Sequence, residues 1–175
     1  MKSIWIFIFS LLFISCSKED KLICDSCYMN MYLNGISWQA DKFSAFLFKD
    51  GVVSLLGFSF DSFGQERESL SFGGIPLEAK KFSLFSGLES IRKDGEVGVF
   101  FSTNLSDGDV LGAVYELVND EVHELIINTL DLEENVIEGS FQLTLLKESD
   151  PRPALNFPDT IRITQGIFRS DITME

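Results

Sequence analysis

Short runs in which apolar and polar residues alternate recur along most of this chain. The first two runs flank Asn34-Gly35, and their apolar members are Met29, Met31, Leu33, Ile36, Trp38 and Ala40. Strict alternation is typical of a half-buried strand, and Asn-Gly is a preferred dipeptide of two-residue hairpin turns. The pattern therefore predicts a β-hairpin near residues 29–40.

The same pattern predicts the remaining strands, because no window of twelve or more residues shows a clean helical period. Further strand-like runs lie at 46–48, 52–60, 70–72, 81–85, 97–101, 123–128, 136–147 and 161–168. Gly73-Gly74-Ile75-Pro76 is predicted to end a strand, and Gly166 is predicted to form a β-bulge. We expect an all-β fold: an antiparallel β-sandwich or partly closed β-barrel of about 8–10 strands, paired mostly between sequence neighbours.

The N-terminal segment has the plan of a signal peptide. Lys2 precedes an apolar run at 4–14, and the small residue Ser15 stands before Cys16. The run is about half the roughly 20 residues that a membrane-spanning helix needs. The sequence Phe13-Ile14-Ser15-Cys16 resembles the bacterial lipobox, which implies that Cys16 is the lipidated first residue of the mature protein. We expect a signal peptide at 1–15, lipidated Cys16 and a tether at 16–27, and one domain at 28–175.

The net charge of the chain argues against two kinds of partner. The chain has 14 Lys and Arg against 27 Asp and Glu, a net charge of −13 that becomes −14 when Lys2 is removed. Nucleic acids and anionic lipid surfaces require a basic face, so neither is an expected partner. An acidic surface also keeps a domain soluble and self-repelling.

Cys24 and Cys27 are the only cysteine pair left once Cys16 carries lipid. A Cys-x-x-Cys pair can be a local disulfide, a redox dithiol or half of a zinc site. Structural zinc needs about four ligands, and the chain has one histidine and no second cysteine pair. A redox dithiol favours a helix N-terminus, whereas strand-like sequence follows here. A disulfide is the favoured interpretation, and redox activity stays open.

Other candidate residues have simpler structural explanations. Asn104, Asp107 and Asp109 are calcium candidates, but Asp residues also cap tight turns. Trp38 could contact a ligand by stacking, although its place in an alternating run favours the core.

Candidate catalytic groups are equally weak. The pairs Glu133-Glu134 and Asp120-Glu121 have neighbouring side chains that point apart, unlike the two carboxylates of a glycosidase. His123 is predicted to be a strand-end residue, since no nucleophile-elbow motif accompanies it. The sequence predicts neither an enzyme nor a cofactor or metal centre.

Three segments together resemble a group of Bacteroidetes lipoproteins of unknown function. These are the opening hairpin Asn34-Gly35-Ile36-Ser37-Trp38-Gln39-Ala40, the turn Asp107-Gly108-Asp109-Val110 with Tyr115 after it, and the pair 137–141 with 163–168. Ser17-Lys18-Glu19-Asp20 also resembles the export tract of surface lipoproteins of that group. The resemblance implies an all-β fold and an outer-membrane lipoprotein, periplasmic or surface-exposed, and implies no activity.

Two functions are expected. The first is a non-enzymatic interaction or accessory module that reaches the membrane through its lipid and binds an unknown protein or glycan. The alternative is a small-ligand or glycan-binding lipoprotein that uses a barrel mouth or sheet edge. A periplasmic redox or hydrolytic enzyme is a weaker third class.

The lipid anchor is directly testable with the variant Cys16→Ala. We expect the variant to lose incorporation of a fatty-acid analogue in labelled cells, because only the Cys16 thiol accepts the lipid. Wild-type protein and Cys24→Ala, which retains Cys16, serve as labelled controls. Label on the Cys16→Ala protein would contradict the prediction.

Overall fold

Eleven β-strands make up the fold in a computed structural model that describes residues 24, 26–87, 95–105, 110–118, 121–150 and 157–174. The signal peptide, Cys16, the tether up to residue 23, and Asp107 and Asp109 lie outside the described residues. The strands are β1 (Tyr28–Leu33), β2 (Ile36–Gln39), β3 (Lys42–Leu47), β4 (Val52–Phe60), β5 (Glu66–Pro76), β6 (Lys81–Ser86), β7 (Glu96–Asn104), β8 (Leu111–Leu117), β9 (Glu124–Asp131), β10 (Val136–Ser149) and β11 (Thr160–Met174). The prediction of an all-β fold is confirmed. Within these ranges no helix is both long and apolar enough to cross a membrane.

The predicted opening hairpin is formed by β1 and β2. Asn34 and Gly35 both have positive φ, 51° and 83°, as a type I′ turn requires. Leu33 then pairs with Ile36 and Met31 with Trp38. The alternation places Met29 and Met31 inside, at 0% and 2% exposure.

All eleven strands belong to one sheet, in the order β2-β1-β11-β3-β4-β5-β7-β6-β9-β10-β8. Two further pairings, β10 with β11 and β7 with β8, connect strands that lie apart in that order. The pairings therefore form an unbroken circuit through β10, β11, β3, β4, β5, β7 and β8. Strand β11, the last strand, connects to two of the first strands. It pairs with β1 at residues 163–169 and with β3 at residues 172–174.

The strand prediction was wrong in two respects. The described residues contain eleven strands rather than about 8–10, and two pairings are parallel, β3 with β11 and β6 with β7. The segment Gly73-Gly74-Ile75-Pro76 ends the strand as expected, since β5 ends at Pro76, and Gly73-Gly74 forms a bulge in it, because Val53 pairs with Ile75 while Leu55 pairs with Phe72. Seven of the twelve pairings among the described strands join sequence neighbours, and five do not.

A β-bulge interrupts β11 immediately before Gly166, close to where the sequence predicts it. Gln165 has a φ of 53°, and both β1 and β10 shift register across it. Thr164 and Gln165 are consecutive exposed residues, after which Gly166 and Phe168 are buried. The extra residue thus resets which positions of β11 face the core.

The core depends on reciprocal glycine–phenylalanine pairs between β10 and β11. Gly139 pairs with Phe168, and Phe141 pairs with Gly166. A Cβ atom on Gly139 would meet the backbone carbonyl oxygen of Ile126 on β9 and would lie 2.6 Å from the Phe168 ring. One on Gly166 would lie 2.5 Å from two ring carbons of Phe141. Each ring therefore occupies the space that a side chain on the opposite strand would need.

These rings continue into a row of aromatic contacts across the interior. Phe141 meets Phe72 of β5 edge-on at a centroid distance of 5.2 Å, and Phe168 meets Phe43 of β3 at 6.1 Å. Strands β5 and β10 are not paired, so the first contact joins opposite walls of the sheet. Such pairs stabilise a core beyond the area that they bury.

Gly139→Ala should lower the free energy of unfolding by about 2–3 kcal/mol, because the new methyl overpacks both the Ile126 backbone carbonyl and the Phe168 ring. Urea denaturation followed by tryptophan fluorescence measures the change. The matched control is Ser140→Ala, one residue along β10 and on its outer face, which should stay within about 0.5 kcal/mol of wild type. Equal losses in the two variants would contradict the packing argument.

Candidate functional site

Cys24 and Cys27 are joined by a disulfide that sits at the start of the domain. The Cys27 amide donates to the Cys24 carbonyl at 3.2 Å, which closes a tight loop. The Cys27 Sγ accepts a hydrogen bond from the Asp171 amide at 3.2 Å and lies 3.3 Å from the Ser170 hydroxyl. These contacts fasten the loop to β11.

Asp171 completes a set of three groups that metal ions commonly bind. One carboxylate oxygen and the Sγ atoms of Cys24 and Cys27 all lie within 4.8 Å of one another. Metals bind thiolates, however, and both sulfurs here are committed to the disulfide. In this oxidised state the set is a disulfide beside an exposed carboxylate.

Of the three calcium candidates, Asn104 is the one that lies among the described residues. Asn104, at the end of β7, donates its side-chain amide to Glu66 of β5 at 2.9 Å. Asp107 and Asp109 lie outside the described residues. Asn104 therefore has a structural partner across the sheet.

Trp38 faces the core rather than solvent. The side chain is 9% exposed, and its indole N–H donates to Glu68 Oε2 at 3.0 Å. Ser59 donates its hydroxyl to the same carboxylate oxygen. This arrangement satisfies a buried indole and leaves no open ring face for a ligand to stack on.

Two groups with displaced pKa values hold the segment before β11 against the sheet. A hydrogen bond to Asp159 raises the pKa of Lys147, which also donates to the Phe157 carbonyl at 2.9 Å. Burial raises the pKa of Tyr115, whose hydroxyl donates to the Pro158 carbonyl at 2.9 Å. Both raised pKa values favour the protonated forms of Lys147 and Tyr115, which are the forms that donate these hydrogen bonds.

Asp61 organises the turn between β4 and β5. Its Oδ1 accepts from the amides of Phe63 and Gln65 at 2.8 and 3.0 Å, and its other oxygen pairs with Arg67. The Gln65 hydrogen bond is the main cause of the lowered pKa of Asp61. The carboxylate is thus a turn-forming group.

His123 fills a gap in the hydrogen bonding along β10. Strand β9 pairs with β10 up to Gln142, and β8 begins to pair at Leu145. Between them the Thr144 amide donates to His123 Nδ1 at 3.3 Å, while Nε2 lies 2.7 Å from the Val118 carbonyl. This geometry assigns the proton to Nε2 and makes the ring a bridge between strands.

The paired carboxylates likewise belong to turns. Asp131 Oδ1 accepts from the amides of Glu133 and Glu134 at 2.9 Å each, and the side chains of both glutamates are exposed. Asp120 lies outside the described residues, and Glu121 is exposed. No described pair faces another carboxylate across a cleft.

A pocket of about 290 Å³ lies between β10, β11 and the segment before β9, next to His123 in the chain. It is lined by Glu121, Val122, Gln142, Leu143, Thr144, Arg162, Ile163 and Thr164. The exposed Tyr32 does not line the pocket, but it pairs across the strands with Thr164, which does. Hydroxyl, amide and guanidinium groups beside an aromatic ring can bind a polar ligand of modest size.

The sequence did not indicate this pocket, because its walls come from two separate strands and the segment before β9. The available signal was the row of polar residues at alternate positions of β10 and β11, which marks an outer face but not its depth. No family model, curated protein or solved structure matches this chain. The chemistry of the site is therefore derived from its own side chains.

His123→Ala should lower the free energy of unfolding by about 1–3 kcal/mol, because the Thr144 amide and the Val118 carbonyl both lose their partner. Chemical denaturation at neutral pH measures the loss. Val122→Ala, at the adjacent and 69% exposed position, is the control and should change stability by less than about 0.5 kcal/mol. A His123→Ala protein as stable as wild type would show that water replaces the imidazole.

Proposed function

We propose that this chain is a lipid-anchored, extracytoplasmic domain that acts by binding a partner rather than by catalysis. The signal-peptide pattern and the lipobox-like sequence at Cys16 support the location, as does the resemblance to Bacteroidetes lipoproteins. The outer membrane, on its periplasmic or outward side, is the proposed site of action. The observation that carries the binding role is the surface around the 290 Å³ pocket.

That surface, called here the outer β1–β11–β10 face, is nearly neutral within an acidic protein. Its residues are Tyr28, Asn30, Tyr32, Glu138, Ser140, Gln142, Arg162, Thr164, Gln165, Ile167 and Arg169. Glu138 and Arg169 form an ion pair, and Glu121 at the pocket offsets the charge of Arg162. A net charge of −13 is thus carried elsewhere on the chain.

A neutral, hydroxyl-rich ligand such as a glycan suits this face best. The pocket offers the Gln142 amide, the Thr164 hydroxyl and the Arg162 guanidinium as hydrogen-bonding groups. Tyr32, 42% exposed, supplies an apolar ring beside them. An amphipathic ring next to convergent polar groups is typical of sites that bind uncharged polar molecules.

The interior is the less favourable place for a ligand. The circuit of strand pairings supports a partly closed barrel over a sandwich. Phe72, Phe141, Phe168 and Phe43 run across its middle in successive ring contacts. Close-packed rings leave no room for a guest, so binding belongs on the outer surface.

A protein partner is the second candidate, favoured by the outer edge of β2, which pairs with no second strand in the described part of the chain. The Ala40 amide donates to the Met29 carbonyl, which fixes the hydrogen-bonded phase of the hairpin. Ser37 and Gln39 lie in the other phase, so their backbone groups point away from β1 at the end of the sheet. A strand of another protein could pair with this edge.

The glycan proposal is tested with immobilised neutral oligosaccharides and the full-length protein in detergent. We expect binding, and we expect Tyr32→Ala to weaken it about tenfold, the equivalent of about 1.4 kcal/mol. Phe63→Ala removes an aromatic ring that is 88% exposed in the β4–β5 turn and should leave binding unchanged. No retained oligosaccharide, or equal weakening by the two variants, would overturn the glycan proposal in favour of the protein partner.

A further inference from the structure

We propose that the Cys24–Cys27 disulfide is a thiol–disulfide exchange site, in which an external thiolate attacks Cys24 and Cys27 departs as the thiolate. The two sulfurs differ in their surroundings, and this difference assigns the direction of attack. The activity is separate from partner binding on the outer β1–β11–β10 face, so either can fail without the other.

The Cys27 sulfur is the better supplied with hydrogen-bond donors. The Asp171 amide donates to it at 3.2 Å, and the Ser170 hydroxyl lies 3.3 Å away, although that hydroxyl donates its proton to the Asp171 carbonyl at 3.0 Å while the disulfide is intact. The Cys24 sulfur has the exposed Ser26 hydroxyl at 3.5 Å as its partner among the described residues. A thiolate is the form that gains most from such donors, so the protein stabilises negative charge at Cys27 more than at Cys24.

These donors are held in place before the reaction begins. Ser170 pairs with Ile137 and Asp171 with Val136 across the β10–β11 ladder. Ser170 is fully buried, and the Ile172 amide that follows donates to the Asn135 carbonyl at 2.6 Å. The Asp171 amide therefore meets a new thiolate without rearrangement, which is the condition for effective electrostatic stabilisation. The Ser170 oxygen is held equally firmly, and only its proton has to turn from the Asp171 carbonyl to the Cys27 sulfur.

Cys27 is also the cysteine that stays fixed when the bond breaks. It packs against the core cluster, and the next residue, Tyr28, begins β1 and pairs with Arg169. Cys24 precedes the first strand and is tied to the domain through Cys27 by the disulfide and one backbone hydrogen bond. Cys24 can thus carry the mixed disulfide while Cys27 remains beside its donors.

The Asp171 carboxylate opposes charge on either sulfur, since an oxygen of it lies within 4.8 Å of both. Asp171 is exposed, so solvent weakens this repulsion. The Asp171 amide, and the Ser170 hydroxyl once its proton turns toward the new thiolate, act at close range on Cys27 alone. The balance therefore still favours Cys27 as the leaving sulfur.

The exchange conserves atoms and electrons in two steps. An external thiolate forms a bond to Cys24 Sγ, the Sγ–Sγ bond breaks, and its electron pair leaves with Cys27 as thiolate. A second external thiolate then attacks the external sulfur of the mixed disulfide and releases Cys24 as thiolate. Two external thiols are oxidised to one disulfide while Cys24 and Cys27 are reduced to a dithiol.

The direct test is to locate the adduct on the oxidised full-length protein in detergent. The protein is treated briefly with glutathione, quenched in acid and alkylated, and its peptides are analysed by mass spectrometry. We expect glutathione on Cys24 and the alkyl group on Cys27, with at least a tenfold preference. A preference for Cys27, equal labelling of the two, or no adduct would overturn the proposal.

Ser170→Ala and Ser26→Ala form the matched pair of variants. Loss of the Ser170 hydroxyl should slow the attack about threefold to tenfold and reduce the preference for Cys24, as expected for one hydrogen bond. Loss of the Ser26 hydroxyl, which lies beside the other sulfur, should leave the rate nearly unchanged or increase the preference. An unchanged preference in a folded Ser170→Ala protein would overturn the role assigned to that hydroxyl, and the wild-type adduct decides the direction of attack without any variant.

Discussion

The exchange of space between Gly139 and Phe168, and between Phe141 and Gly166, is the constraint on which the rest of the fold depends. The rings of β10 and β11 can enter the interior only because the opposite strand carries no side chain there. Once inside, they reach Phe72 on one wall and Phe43 on the other. Strands β10 and β11 are thereby connected to both walls of the sheet, and the core becomes continuous.

The register of β11 also determines which of its residues lie on the outer surface. The bulge at Gln165 lets Gly166 and Phe168 face inward, and it leaves Thr164 and Gln165 together on the outside. Thr164 then lines the pocket with Gln142 of β10. A filled interior and a polar outer recess are therefore two results of one register, which is why the binding role is assigned to the outside rather than to a central cavity.

Local patterns predicted most strands, because alternation and turn dipeptides act within a few residues. The Asn34-Gly35 hairpin and the β9–β10 hairpin depend on such signals and are present as expected. Alternation did not identify β8. Its consecutive residues Gly112 and Ala113 are both buried, Gly112 against Phe157, so buried and exposed positions do not alternate there. The parallel pairing of β3 with β11 joins residues more than a hundred positions apart, and the pocket is lined by residues from three separate segments between 121 and 164. No local pattern reports such contacts.

The position of the disulfide limits which thiols it can meet if Cys16 carries lipid. Cys24 is the eighth residue after Cys16, and a fully extended chain covers about 3.4 Å per residue, so Cys24 would stay within about 27 Å of the membrane surface. The contacts of Cys27 with Ser170 and Asp171 place the C-terminal half of β11 at the same end of the domain. A protein thiol would therefore have to lie close to the membrane itself in order to react with Cys24. Small-molecule thiols diffuse to Cys24 and are not limited in this way.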